Sequence, residues 1–236
     1  MFTKTARFYD ALYVWKDYAG EAEKLHSIVQ ERRPEARTLL DVACGTGKHL
    51  ALLREHGYEV EGVELDPEML KLARERLPNA ALHEGDMLDF ALGRTFDVVT
   101  CLFSSIAYAV TVENLHRAAA SLARHASPGG LVVVEPFFTP DEWQPGRVWA
   151  LFADEPELKL TRMDVPPEPA DGMVRLAFHY LVGTPQGVEY ITEQHEIGLF
   201  THEEYLGAFR AAELDVDHDP EGLMGRGLYV GTKPAG

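Results

Sequence analysis

The stretch LLDVACGTGKHL, Leu39 to Leu50, places two glycines, Gly45 and Gly47, just past an apolar run interrupted by Asp41. A chain uses glycine where its backbone must turn left-handed or press close to a ligand. A phosphate loop is excluded, because the glycines are too close together and no Gly-Lys-Ser/Thr follows at that loop's spacing. A dinucleotide site is disfavoured too: the third glycine that lets a helix approach a pyrophosphate is here Leu50. The pair suits a flat, modestly charged ligand, or is simply a tight turn. About 20 residues after Gly45 comes Glu64, where a carboxylate can accept hydrogen bonds from both hydroxyls of a ribose. Asp86, in EGDM, can meet an exocyclic amine such as that of adenine. Each acid alone reads as a solvated strand end or a helix cap. Together they outline an adenosine lying across a sheet.

Such a placement needs strands alternating with helices. GEAEKLHSIVQERRP puts Ala22, Leu25, Ile28 and Val29 on one helical face and stops before Pro34. TLLDVA, YEVEGVELD, AALHEGDM, FDVVTCLFSS and GLVVVEPFF read as successive strands. KHLALLREHG, PEMLKLARERLP and VENLHRAAASLARHAS read as helices among them, the second opened by Asp66 as N-cap and Pro67 at its first position. Apolar strands in this rhythm require a parallel sheet covered on both faces. After Glu135 the pattern changes to prolines and period-two stretches, MVRLAFHYLV and GVEYITEQHEIGLF joined by TPQG. These predict antiparallel β inserted over the sheet's carboxyl edge. Thr201 and Glu204 fit a capping box that restarts a helix, and GRGLYVGTKP closes the chain as a strand. The expected division is a core of residues 1–136 and 196–236, its N-terminal segment serving as a lid, and a β-rich covering region of residues 137–195.

With 236 residues the chain is one large domain or one domain with an insertion, long enough to bury roughly 70% of its unfolded surface. Thirty-eight acids against 22 Lys plus Arg give a net charge of −16, which repels nucleic acid and acidic membranes and favours a small-molecule partner. Cys44 and Cys101 both sit in apolar runs and read as buried free thiols of a reducing compartment, with no metal-ligand spacing. The opening MFTKTARFYD lacks the apolar region of a secretory signal, and no run approaches the roughly 18 apolar residues of a membrane span. The expected location is cytoplasmic. The oligomeric state is open, a homodimer included.

LLDVACGTGKHL, GVELDPEML, EGDMLDF, FDVVTCLFSS and GGLVVVEPFF, in this order and spacing, resemble the motifs of S-adenosylmethionine-dependent methyltransferases with the Rossmann-like fold. The resemblance implies a seven-stranded sheet whose last strand is antiparallel, with helices on both faces. It also implies S-adenosyl-L-methionine as cofactor and S-adenosyl-L-homocysteine as product. On this resemblance Asp41, Ala43, Gly45 and Gly47 would line the methionine side, Glu64 the ribose, Asp86 and Met87 the adenine, and Cys101 to Phe103 the floor under the sulfonium. A narrower likeness runs nearly end to end. FYDALYVWKDYAGEA, CLFSSIAY, VVVEPFF, AFHYLV, GLFTHEEYLGAFRAAEL and GRGLYVG are similar to the dTDP-amino-sugar N,N-dimethyltransferases. It implies that Tyr9, Tyr13, Tyr108 and Arg226 face a substrate pocket and that Lys16 helps close the N-terminal segment over the cofactor. TRMDVPPEPADG, with Asp164 and Pro166, stands where that family carries a Ser-His-Ser stretch.

Methyl transfer from a sulfonium is an in-line displacement, so the protein must align an electron pair and exclude water. An amine with a pKa of about 8 is partly neutral near pH 7, so a strong base is not obligatory. Tyr108 could accept a hydrogen bond from the amine or relay its proton, or only shape the wall. Tyr9 and Tyr13, four residues apart, contact the ligand or pack together. Glu135, ahead of Pro136, would attract a substrate ammonium or pair with an Arg. His179 and His195, in the inserted strands, are substrate contacts or structural. Arg226, between two glycines, suits bidentate binding of a phosphate, with Arg162 and Arg175 as weaker candidates. The expected activity is N-methylation of an amine such as that of a nucleotide-linked sugar. An O-methyltransferase, a methyltransferase of another small amine, and a non-catalytic cofactor-binding protein are the alternatives.

Overall fold

The computed structural model describes residues 4–235. Its core strands are β1 (Thr38–Val42), β2 (Glu59–Glu64), β3 (Ala81–Glu84), β4 (Phe96–Cys101) and β5 (Ala126–Val134). All five lie parallel in the order β5-β4-β1-β2-β3. Two late strands, β10 (Asp215–Asp219) and β11 (Leu228–Thr232), complete a seven-stranded sheet beyond β5. β11 runs antiparallel to β5, and β10 antiparallel to β11.

Strand alternation sorts the core into two layers. Leu39, Val98, Leu131 and Val133 point toward α2 (Tyr18–Arg32) and α3 (Lys48–Glu55), where they meet Leu25, Val29, Leu50 and Leu53. Leu40, Val42, Val99 and Val132 point the other way, onto Leu115, Leu122 and Phe209 of α5 (Val112–His125) and α6 (His202–Ala211). A further helix, α4 (Pro67–Arg76), begins at Asp66, whose side chain caps the N–H groups of Glu68 and Met69. The predicted capping box at Thr201 and Glu204 is present.

The second sheet is antiparallel, in the order β6 (Trp149–Glu155), β7 (Leu158–Asp164), β8 (Met173–Thr184) and β9 (Gly187–Gly198). The TPQG turn joins β8 to β9 as expected, with Thr184 opposite Gly187. Its inner face packs Leu160, Val174, Phe178 and Tyr180 on Phe8 and Leu12, residues of the N-terminal segment that includes the single turn α1 (Tyr9–Leu12). Residues 1–3 of the expected lid lie outside the described part of the chain.

The structure adds elements the pattern did not specify. β10 reads DVDHD, an edge strand with charges on both faces, so no hydrophobic alternation marks it. β6 and β7 lay hidden in the proline-rich stretch. α5 also passes into β5 with no intervening loop, Ala126 being at once its C-cap and the first residue of the strand.

Gly62 shows how tightly the first crossover is packed. A β-carbon there would sit 2.8 Å from Cys44 Sγ, Leu50 Cδ1 and Leu82 Cδ2. Gly62→Ala is therefore expected to lower stability by about 1–3 kcal/mol, read as a reduced urea midpoint; an unchanged midpoint would show that this packing can relax.

Candidate active site

The loop from β1 to α3 turns through three left-handed residues, Ala43 (φ 58°), Gly45 (φ 57°) and Gly47 (φ 75°). The two glycines serve different needs. A β-carbon on Gly47 would lie 3.3 Å from Ala73 and Leu77, so this glycine lets the start of α3 approach α4. On Gly45 a β-carbon would meet nothing within 4 Å, because its open side faces a cavity. Glu64, at the end of β2, accepts the Gly45 N–H through Oε2 and the Asp66 N–H through Oε1, each at 2.8 Å. Burial pushes its carboxyl above the usual range, partly offset by those N–H groups. Asp41 is more enclosed. Thr100 Oγ1 donates to its Oδ1 at 2.7 Å, and burial pushes its pKa up to about 7.

Two cavities flank this turn. The first, about 700 Å³, is walled by Ala43, Gly45, Glu64, Leu65, Met69 and Met87, with Arg175, Gln194 and Glu196 reaching its edge from the second sheet. That volume lies within the range of small-molecule sites. The second, about 270 Å³, lies under the β6–β9 sheet and is largely aromatic, with Tyr13, Phe103, Phe137, Trp143, Trp149 and Phe178 among its walls. Arg162, Asp164 and Arg226 are its charged walls. Tyr9, Ser105 and Tyr108 line both cavities, so the two spaces meet at these side chains.

Each shared wall is fixed from behind. Ser105 and Tyr108 belong to a short 3₁₀ turn, Ser105–Ala109, entered through left-handed Phe103 and Ser104. The Tyr108 hydroxyl meets His195 Nδ1 at 2.8 Å, and Glu193 stands 3.7 Å beyond His195 Nε2. Burial lowers the His195 pKa and raises that of Tyr108, so both are neutral at pH 7. Tyr9 is held by its chain. Asp10 accepts from Thr46 Oγ1 at 2.8 Å and ion-pairs with Arg76, tying α1 to the glycine turn and to α4. Glu193 accepts from the N–H groups of Lys4 and Thr5 at 2.8 and 3.2 Å and from Thr5 Oγ1 at 2.6 Å, tying the same segment to β9.

Of the residues expected on the cofactor side, Ala43, Gly45, Glu64 and Met87 line the first cavity. Tyr9, Tyr13, Tyr108 and Arg226 line the second. Arg226 donates to Ser104 Oγ at 3.0 Å and lies among the rings of Phe103, Phe137 and Phe138.

Other expected residues stand back from both spaces. Gly47 packs on α4, and Asp41 and Cys101 lie 3% and 0% exposed within the sheet. Asp86 spends Oδ1 on the Leu88 N–H. The Lys16 ammonium is buried in an ion pair with Glu21, over the Phe103 ring. Glu135 neither lines a cavity nor ion-pairs with an Arg: fully buried just past the buried end of β5, it accepts the Phe103 N–H through Oε2 at 2.7 Å. His195, 1% exposed and lining neither cavity, stands behind Tyr108. His179 points outward, stacked on Tyr190, because its neighbours Phe178 and Tyr180 occupy the inner face of β8. Ser105, Met69 and the aromatic walls at Phe137, Trp143 and Trp149 carried no sequence signal of a site; their apolar or small character matches ordinary core.

Asp41 makes a test of pH dependence. Its carboxyl holds a proton up to about pH 7 when folded, but only to about pH 4 when unfolded. A raised folded pKa means that its contribution is lost as pH climbs through that window. Asp41→Asn, with no proton to lose, is expected to gain on the wild type between those pH values in urea unfolding; parallel curves would contradict the burial assigned to this carboxylate.

Among the described residues, no three His, Cys, Asp or Glu side chains are placed to hold a metal, and no helix is long and apolar enough to cross a membrane. Cys44 and Cys101 are both buried and free. Residues 39–130 match the family model described as a methyltransferase domain. The chain is 44% identical to the dTDP-3-amino-3,6-dideoxy-alpha-D-glucopyranose N,N-dimethyltransferase of Streptomyces fradiae, over 98% of this chain and 91% of that one. It is 43% identical to the dTDP-3-amino-3,4,6-trideoxy-alpha-D-glucopyranose N,N-dimethyltransferase of Streptomyces venezuelae, over 96% and 97% of the two lengths. The crystal structure of Streptomyces venezuelae DesVI superposes with a TM-score of 0.92 at 43% identity, covering 98% of each chain. Identity at that level over nearly the full length places this chain in the family of the dTDP-amino-sugar N,N-dimethyltransferases, S-adenosylmethionine-dependent enzymes built on a seven-stranded α/β core.

Proposed function

We propose that this enzyme transfers methyl groups to the amine of a nucleotide-linked amino sugar, with the amine seated where the two cavities meet. The observation that carries this is the shared wall of Tyr9, Ser105 and Tyr108, which lets a donor in the larger space face an acceptor in the smaller one. The larger cavity fits the cofactor: the open side of Gly45 admits its backbone approach, and the Glu64 carboxylate keeps lone pairs for two ribose hydroxyls after accepting two N–H groups. Met87 would pack on the adenine and Ala43 on the methionine side. Asp86, Asp41, Gly47, Cys101 and Lys16 act from behind these residues. When bound, S-adenosylmethionine supplies an electrophilic methyl group and departs as S-adenosylhomocysteine.

The chain's own part is alignment and exclusion of water. Neutral His195 accepts the Tyr108 hydroxyl at Nδ1, which leaves the phenol oxygen free to accept an amine N–H. Tyr108 thus orients a neutral amine and does not act as a strong base. Arg226, anchored on Ser104 and framed by rings, is the phosphate-binding cation. Tyr9 and Tyr13 close the space over the acceptor as part of the N-terminal lid, and residues 137–195 form its cover.

Methyl-labelled cofactor incubated with dTDP-3-amino-3,6-dideoxyglucose is expected to give a singly and then a doubly N-methylated product. Glu64→Ala is expected to weaken cofactor binding by at least about tenfold in calorimetry, with no signal from NAD. Label recovered on oxygen would favour an O-methyltransferase, and binding without turnover would favour a non-catalytic protein.

The outer face of the second sheet supports a homodimer. Phe152, Leu181 and Tyr190, 63%, 54% and 64% exposed, line up across β6, β8 and β9 through the register Phe152–Thr161–Leu181–Tyr190. An apolar row of this kind marks an association surface. Light scattering is expected to show a dimer that Leu181→Lys dissociates; a monomeric wild type would overturn this assembly. The free buried thiols of Cys44 and Cys101 suit a reducing cytoplasm.

A further inference from the structure

Arg162 and Asp164, two residues apart on β7, present the same face of the covering sheet to the acceptor cavity. Both are buried, 9% and 6% exposed. Arg162 is held firmly: Nη1 donates to the Tyr13 hydroxyl at 2.8 Å, and the guanidinium lies 4.3 Å over the Phe178 ring. Asp164 is not. Its Oδ1 faces Arg162 Nη2 across 3.7 Å, an ion pair too long for a hydrogen bond, and among the described residues no hydrogen bond reaches that oxygen or Arg162 Nε. A buried carboxylate left short of donors is costly, and a ligand that supplies one recovers that cost.

The surroundings limit what the donor can be. Trp143, Trp149 and Phe178 offer faces to stack on, and the Trp143 indole N–H is already spent on the Pro167 carbonyl. The pair also connects to the methyl-transfer junction, since Arg162 bonds Tyr13, whose ring lies 4.6 Å from that of Tyr9, a wall of both cavities. A sugar whose amine sits at the junction turns the carbons flanking that amine toward Tyr13, Arg162 and Asp164. A hydroxyl on such a carbon can donate to the carboxylate and accept from the guanidinium. A methylene there would leave both unmatched.

We infer that Asp164, held beside Arg162, selects an acceptor bearing a hydroxyl next to its amine-bearing carbon; this rests on the amino-sugar acceptor proposed above. A direct pairing of Asp164 with the amine is the competing arrangement, and it would hold the amine protonated and without a free electron pair.

The experiment compares kcat/KM for dTDP-3-amino-3,6-dideoxyglucose and its 2-deoxy and 4-deoxy analogues, in wild type and in Asp164→Ala. Wild type is expected to lose at least about tenfold on one analogue. Asp164→Ala is expected to lose a similar factor on the parent sugar and to stop distinguishing it from that analogue. Calorimetric titration of each sugar into protein saturated with S-adenosylhomocysteine is expected to show the same pattern in affinity. Equal handling of all three sugars by wild type would overturn the selection, as would an equal loss on all three in Asp164→Ala, the signature of pairing with the amine or of a purely structural carboxylate. Should Asp164→Ala fail to fold, Asp164→Ser is read by the same ratios. If no sugar binds or turns over, the amino-sugar assignment itself fails; turnover without discrimination removes only this inference.

Discussion

The Glu64 carboxylate accepts one N–H from the β1–α3 turn and one from the β2–α4 turn, so a single side chain couples the two loops that shape the larger cavity. Without it, left-handed Gly45 and the Asp66 cap would each lose their link to the neighbouring loop. Carboxylates that accept backbone N–H groups stay charged even when desolvated. Here burial and hydrogen bonding oppose each other, and the group remains an acceptor at the cavity wall. Asp41, deeper in the same sheet and held by one hydroxyl, is pushed in the same direction by burial and keeps its proton up to about pH 7.

The walls of the smaller cavity depend on a different set of contacts. The N-terminal segment is pinned to the core by Asp10 and to the second sheet by Glu193, so Tyr9 and Tyr13 are carried between two anchored ends. The second sheet contributes through its pleat. Alternate residues of β8 send Phe178 and Tyr180 inward and His179 outward, and the same rule places Arg162 and Asp164 side by side on β7.

The buried charge of Glu21 is kept in a closed group. Burial works against ionisation of Glu21, but hydrogen bonds from His49 and Lys16 hold its carboxyl below the usual range, while burial keeps His49 from protonating. Lys16 also lies 4.1 Å over the Phe103 ring. Such groups desolvate well only when every partner is present, and they brace the segment between α1 and α2 from beneath. Asp164, on the wall of the smaller cavity, lacks such a closed set of partners.

Much of the core was legible in the sequence because its strands are buried on both faces and its helices carry caps, and both features leave a periodic or local mark on residue type. Gly45 and Glu64 were read from their places at strand ends, since the topology of an open sheet forces those ends onto one edge, and both line the larger cavity; Met87, also a wall, was implied only by the family resemblance. Charged β10, and β6 and β7 set among proline-containing loops, left no such mark. The sequence by itself determined the fold class, the cofactor edge and the family. Only the tertiary structure decided that His195 supports Tyr108, that Glu135 accepts a backbone N–H, that His179 faces outward, and that Arg162 and Asp164 line the smaller cavity. The reason is physical: residue type and spacing fix what a strand can bury, whereas which of its faces meets a cavity depends on register and on segments distant in sequence that pack against it.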